Sequence, residues 1–138
     1  MKDVVELTLS PEQAYFILMR ARAFDEKVAA SGQDGGSNPS DDGAVDVLED
    51  TPDDATASEL RASIRRLNDD ELRDLIALVW IGRGDFSMAE WNEARRAAAD
   101  IGRERAPRYL LGIPLISDYL EESLSNLGFS LAEYIDEH

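Results

Sequence analysis

The chain has 138 residues, 43% of them hydrophobic, which is enough for one folded domain, and no stretch approaches the roughly 20 apolar residues that span a bilayer. Fourteen Lys and Arg residues against 29 Asp and Glu residues give a net charge of −15, which repels nucleic acids and anionic membranes. The absence of cysteine excludes disulfides and thiolate chemistry. We therefore expect a cytoplasmic protein without a cofactor, and neither nucleic acid nor membrane as its partner.

The first predicted elements are a short alternating stretch and a long helix. Residues 5–9 alternate between apolar and polar side chains, as a strand does. Residues 10–13, Ser-Pro-Glu-Gln, have the pattern of a capping box, so we expect a helix over residues 11–29. Ser31 and Gly32 are predicted to end this helix.

An acidic segment, residues 31–59, follows the first helix. It contains nine Asp and Glu residues and no Lys or Arg, and it includes several glycines and prolines. This composition predicts a long acidic loop over residues 31–55. Val45 and Val47 alternate with Asp46, so a minimal two-stranded ribbon with residues 4–9 is an alternative to a loop anchored on the core.

Apolar residues three and four positions apart predict the later helices. The helix over residues 70–81 is apolar most of the way round, so we expect it at the centre of the fold. Together the elements predict a single all-α domain of five to seven helices over residues 1–138. Five other helices are predicted. Two cover residues 87–104 and 114–126, and three begin near residues 54–56, at Pro107 and at Ser130.

The first candidate binding residues lie in the acidic segment. Asn38, Asp41 and Asp42 belong to a run of turn-forming residues, which fits an ordered turn or a recognition loop. Oxygen-bearing side chains at alternating positions from Asp34 resemble a calcium loop, but the twelfth position, where such a loop has Glu, is Val45. We therefore predict no metal site and keep cation binding as an alternative function.

The second group of candidate binding residues lies at the end of the central helix, in residues 80–86. Arg83 stands between two glycines, so its guanidinium is placed to bind a carboxylate or phosphate ligand, to pair with Asp85, or to cap helix carbonyls. Trp80 lies on an apolar helix face, which favours the core over a ligand platform. Trp80, Arg83 and Asp85 are the candidates here.

Six runs of the sequence carry a resemblance to a known family. They are Leu9-Ser10-Pro11-Glu12, residues 37–43, Val47-Leu48-Glu49-Asp50, residues 78–86, residues 109–115 and Asp118-Tyr119-Leu120-Glu121. Together they resemble DUF3775, a bacterial domain family of unknown function. The resemblance covers nearly the whole chain and implies a small, mainly helical bacterial protein in which the acidic segment is a family feature. It implies no activity, cofactor or catalytic residue.

The leading functional interpretation is a non-enzymatic interaction module that binds a basic protein through the acidic segment and the turn at residues 82–86. One alternative is a regulatory protein that binds a small ligand or a divalent cation. Another is a carboxylate-based enzyme in which Arg83 binds an anionic substrate. A homo-oligomer formed through an apolar helix face also stays open, because a sequence does not separate a core face from an interface face. No catalytic residue is predicted.

Overall fold

The computed structural model describes residues 6–34 and 55–129, and these residues form α-helices joined by turns. The described residues contain no strand, so the all-α prediction is confirmed. A single turn of 3₁₀ helix, Met88–Glu90, precedes the helix that begins at Trp91. The helices are α1 Pro11–Asp34, α2 Ala55–Arg65, α3 Asp69–Arg83, α4 Trp91–Ala98, α5 Ala106–Leu111 and α6 Ile116–Asn126.

Helix α3 lies at the centre of the fold, as its apolar composition predicted. Every residue from Asp74 to Ile81 is buried. Helix α3 packs against α4 and α6, while α1 packs against α2 and α6, and α2 contacts α5. The buried side chains form one hydrophobic cluster to which all six helices contribute. None of the described helices has the length and apolar character needed to cross a membrane.

Local capping begins the helices where the sequence predicts. In the box at the start of α1, the Ser10 amide donates to Oε1 of Gln13 at 3.0 Å, and the Gln13 amide donates to Oγ of Ser10 at 3.1 Å. Asn68 and Glu71 form the equivalent box at the start of α3. Each box satisfies amides that lack a partner within the helix, which fixes where the helix starts.

Two predicted helix ends are wrong. Helix α1 continues through Ser31 and Gly32 to Asp34, because a glycine inside a helix costs only about 1 kcal/mol and does not force an end. The helix predicted to reach residue 104 ends instead at Ala98. Turns follow it, and Gly102 has φ of 83°, a left-handed conformation that a continuous helix does not accommodate.

Helices α3 and α6 meet at a glycine. A Cβ atom built on Gly82 would lie 1.9 Å from the backbone oxygen of Tyr119, so only glycine fits at this crossing. The central helix ends within the predicted turn at residues 82–86, since α3 ends at Arg83 and Gly84 is its C-cap, while Gly82 lies in the last turn of the helix. The glycine therefore permits close helix packing rather than a turn.

The predicted strand near the N-terminus is not formed. Residues 6–9 have no strand conformation, and the amides of Thr8 and Leu9 donate to the Asp74 carboxylate instead. The other half of the predicted ribbon, residues 45–48, and the helix predicted from Ser130 lie outside the described residues.

Candidate functional site

The candidate site at the end of α3 is built on a tight helix C-cap. Gly84 adopts a left-handed conformation with φ of 99°, and its amide donates to the carbonyl of Ile81 at 3.1 Å. The amide of Asp85 reaches back to the carbonyl of Trp80 at 2.9 Å. These two bonds form a Schellman motif, which fixes the direction in which the chain leaves the helix.

Arg83 and Asp85 form an ion pair across this turn. Nε and Nη2 of Arg83 donate to Oδ2 of Asp85 at 2.9 and 2.6 Å, and the two side chains are 34% and 41% exposed. The hydrogen bonds that Arg83 donates to Asp85 raise the pKa of the Arg83 guanidinium, and the hydroxyl of Tyr109 adds to that rise. Arg83 therefore stays positively charged at the surface, and its ion-pair partner, Asp85, belongs to the same turn.

A cluster of three aromatic residues, Trp80, Phe86 and Tyr109, packs beneath the turn. Trp80 is only 8% exposed and donates from Nε1 to the hydroxyl of Tyr109 at 2.7 Å, with the two rings edge to face. The ring of Phe86 lies 5.8 Å from that of Trp80. Trp80 therefore belongs to the core, as predicted, and its indole N–H is already satisfied within the protein.

The structure brings together only part of the predicted site. Trp80, Arg83 and Asp85 lie within one helix end, while Asn38, Asp41 and Asp42 lie outside the described residues. The prediction of a loop over residues 31–55 needs correction at both ends, because residues 31–34 belong to α1 and α2 already begins at Ala55. Helix α1 continues because Ser31 and Gly32 are tolerated within it.

Sequence reasoning missed a buried carboxylate, Asp74. Its side chain is completely buried, with Oδ2 accepting from the amides of Thr8 and Leu9 at 2.6 and 3.0 Å. Oδ1 accepts from Nε of Arg95 at 2.6 Å. An Asp within an otherwise apolar helix was the available signal, because a buried charge needs a partner. Its three donors give Asp74 a structural role that joins α3, α4 and the N-terminal segment.

A second carboxylate, Asp25, caps the start of α6 from α1. It accepts from the backbone amide and the hydroxyl of Ser117 at 2.9 and 2.6 Å. Burial raises the pKa of Asp25 above its ordinary value of 3.8, although both bonds from Ser117 offset part of this rise. Arg22, one turn earlier in α1, pairs with Glu121 and Asp118 of α6.

Two observations on the described residues bear on metal and ligand binding. They contain no group of three or more Asp, Glu, His or Cys side chains placed to hold a metal ion. A shallow groove of about 290 Å³ lies between α1 and α2, away from the turn at Arg83. Its lining residues are Glu12, Gln13, Phe16, Ile17, Ser63, Arg66 and Leu67.

Comparison with known proteins identifies the family of this chain. The family model described as "Protein of unknown function (DUF3775)" matches residues 57–129, which is just over half of the chain and includes α3 to α6 and nearly all of α2. Searches among curated proteins and among solved structures found no match. Trp80 and Tyr109, which are joined by a hydrogen bond, belong to two of the runs that resemble the family, residues 78–86 and 109–115. The chain therefore belongs to the DUF3775 family of proteins of unknown function.

Proposed function

We propose that this protein is a non-enzymatic interaction module that binds a basic protein partner through the acidic segment. The observation that carries the proposal is the uneven distribution of charge. Residues 31–59 hold nine acidic residues and no basic one, whereas residues 60–129 hold ten arginines against twelve acidic residues. A local excess of one charge attracts an oppositely charged surface and speeds its association.

The acidic segment is attached to packed helices at both of its ends. Glu12 and Phe16 near the start of α1 line the same groove as Ser63 and Leu67 near the end of α2, so the two helices run antiparallel. The acidic segment begins in α1 and ends in α2, and it joins them at the far end of the pair. Its nine charges are therefore attached to one end of the folded core.

The ionisable groups within the core support a binding role rather than catalysis. The enzyme alternative requires a buried carboxylate facing Arg83, but Arg83 pairs with the exposed Asp85 and the buried Asp74 pairs with Arg95. Three donors occupy the carboxylate of Asp74, so it is not placed to accept a proton from a substrate.

The turn at residues 82–86 is the second proposed contact. It presents the side chains of Arg83 and Asp85 at the surface, and a Cβ atom on Gly84 would meet no described residue from another part of the chain within 4 Å. The aromatic residues beneath it hold this backbone in place, so a partner that binds here meets a surface already ordered.

The proposal is tested by capture from a native, nuclease-treated lysate with two variants of equal charge. The first neutralises five residues of the acidic segment: Asp41→Asn, Asp42→Asn, Asp46→Asn, Glu49→Gln and Asp50→Asn. The control neutralises five exposed acidic residues elsewhere: Glu6→Gln, Glu93→Gln, Asp100→Asn, Glu104→Gln and Glu122→Gln.

We expect the unmodified protein and the control to retain the same basic protein, and the variant of the acidic segment to lose it. Equal retention by both variants, or equal loss, would contradict the proposal. Calorimetry with calcium and magnesium on the same proteins tests the cation alternative. Heat of binding that disappears only with the five substitutions in the acidic segment would favour a cation site instead.

A further inference from the structure

We propose that two copies of this chain form a two-fold homodimer in which the outer faces of their α1 helices pack antiparallel. The outer face of α1 is the stripe of Glu12, Phe16, Met19, Ala23 and Lys27, which lies opposite the buried side of the helix. This inference goes beyond the proposed function, which concerns a different protein bound at the acidic segment.

The outer face of α1 carries exposed apolar side chains in one place. Phe16 and Met19 are 38% and 42% exposed, and Leu115 is the one other exposed large apolar residue among those the structure describes. Phe16 and Met19 lie one turn apart, and Phe16 also lines the groove between α1 and α2. Two exposed large apolar side chains therefore lie next to each other on α1, a grouping typical of interfaces, whereas among the described residues Leu115 has no other exposed large apolar residue within one helical turn of the sequence.

The exposed ring of Phe16 is held in place before any partner binds. The guanidinium carbon of Arg20, one turn later in α1, lies 3.8 Å from the centre of the Phe16 ring. A cation over an aromatic face stabilises the ring's position. Docking against a side chain that is already ordered costs less entropy than docking against a mobile one.

Charge does not oppose association through α1. Residues 11–29 contain three acidic and three basic residues and are neutral, in a chain whose net charge is −15. Two copies that approach through α1 therefore meet with less repulsion than through a surface that shares the overall negative charge.

The ends of the outer face complement each other in an antiparallel arrangement. Glu12 and Lys27 lie about 22 Å apart along the helix axis, and the midpoint between them falls next to Met19. A two-fold axis at that midpoint places Glu12 beside Lys27 of the second copy, and Phe16 against Ala23 of the second copy. A large side chain then faces a small one, as helix packing requires. Glu12 and Lys27 also have partners within their own chain.

The acidic segment selects the antiparallel orientation. It begins at the C-terminal end of α1, so parallel helices would bring two groups of nine negative charges together. Antiparallel helices of 24 residues, about 36 Å long, separate these groups by several times the screening length of about 8 Å at physiological salt. Repulsion between the segments is then mostly screened.

Sedimentation equilibrium over roughly 5 to 500 µM protein, the range of weak dimers, tests the proposal. We expect the average mass to rise from 15.3 kDa towards twice that value. Phe16→Gln with Met19→Gln should raise the dissociation constant at least about tenfold, because both side chains lose their burial in the interface. The control Leu115→Gln should leave it unchanged, and circular dichroism should show the same helix content in every variant.

The charge pairs test the register. Glu12→Lys alone and Lys27→Glu alone should each weaken the dimer about threefold or more, because each places like charges together. The chain with both substitutions should recover the original affinity, since the two-fold axis recreates the pairs with exchanged signs. A monomer throughout the concentration range, or a dimer unaffected by the Phe16 and Met19 substitutions, would overturn the proposal. Failure of the doubly substituted chain to recover would overturn the antiparallel register.

Discussion

Arg95 donates from Nε to Oδ1 of Asp74 at 2.6 Å, and this bond ties α4 to a carboxylate that is completely buried in α3. The second oxygen of Asp74 accepts from the amides of Thr8 and Leu9, which precede α1. One side chain therefore connects three parts of the chain. A buried carboxylate of this kind is stable only while its donors are present.

Asp74→Ala should lower the free energy of unfolding by about 3 kcal/mol or more, because it leaves Nε of Arg95 and the amides of Thr8 and Leu9 without their acceptor. Chemical denaturation measures this loss. Arg73→Ala is a suitable control, since Arg73 pairs with Asp70 at the exposed surface and should contribute less than about 1 kcal/mol. Equal losses for the two variants would contradict a structural role for Asp74.

Gly82→Ala should destabilise the packing of α3 against α6. The new Cβ would lie 1.9 Å from the carbonyl oxygen of Tyr119, so the two helices must move apart at a cost of about 3 kcal/mol or more. Gly112→Ala is the matched control, because its Cβ would meet the nearest atoms at an ordinary 3.5 Å. Thermal unfolding should separate the variants clearly. A similar midpoint of thermal unfolding for the two variants would show that α3 and α6 do not pack closely at Gly82.

Asp25 gives a prediction for the dependence of stability on pH. Because its folded pKa is raised above the ordinary 3.8, the folded state holds this proton to a higher pH than the unfolded state does. Stability relative to Asp25→Asn should therefore fall as pH rises from 3.8 through the folded pKa, and then level off. Urea titrations of both proteins across this pH range measure the difference.

The Ser117→Ala variant checks the cause of the Asp25 shift. The Ser117 hydroxyl stabilises the ionised carboxylate, so its removal should raise the pKa of Asp25 further. A carbon-detected NMR titration of the Asp25 carboxyl follows this directly. A pKa at or below 3.8 in the unmodified protein, or a lower pKa after Ser117→Ala, would contradict the account.

Arg83→Ala should separate binding from stability. The ion pair with Asp85 is exposed, so its loss should change the free energy of unfolding by less than about 1 kcal/mol. Capture of the basic partner should strengthen, because the substitution removes a positive charge from the contact and frees the Asp85 carboxylate for the partner. Unchanged partner capture by a folded Arg83→Ala protein would remove the turn from the proposed interface.

The segment that matches the family model should not fold alone. Residues 57–129 lack α1, whose buried residues Leu18, Ala21 and Phe24 belong to the common core. They also lack Thr8 and Leu9, which donate to Asp74. A fragment of residues 57–129 should therefore show little cooperative unfolding by circular dichroism, whereas residues 6–129 should unfold cooperatively. Cooperative unfolding of the shorter fragment would show that α1 is dispensable.

The features that could be predicted from the sequence are local ones. The capping boxes at Ser10 and Asn68 depend on residues three positions apart, so the sequence alone places the starts of α1 and α3. The central position of α3 follows from its apolar composition, and the burial of Trp80 follows from the apolar helix face on which it lies. Each of these depends on a pattern within one turn or one helix.

The features that could not be predicted depend on contacts between distant parts of the chain. The close crossing at Gly82 could not be predicted, because it depends on the backbone of Tyr119, 37 residues later in the chain. The residues 6–9 looked like a strand, although their amides donate to Asp74, more than 60 residues away. For the candidate site, the sequence suggested the pairing of Arg83 with Asp85, but not the hydrogen bond from Trp80 to Tyr109.

The central claim, that the acidic segment binds a basic protein, is tested most directly by affinity as a function of salt. The captured partner is titrated into the unmodified protein and into the variant with five neutralised residues between Asp41 and Asp50, from about 50 to 500 mM salt. We predict that the affinity of the unmodified protein falls steeply over this range, and that the variant binds weakly with a much smaller slope. Affinity that stays flat with salt in the unmodified protein would contradict the claim.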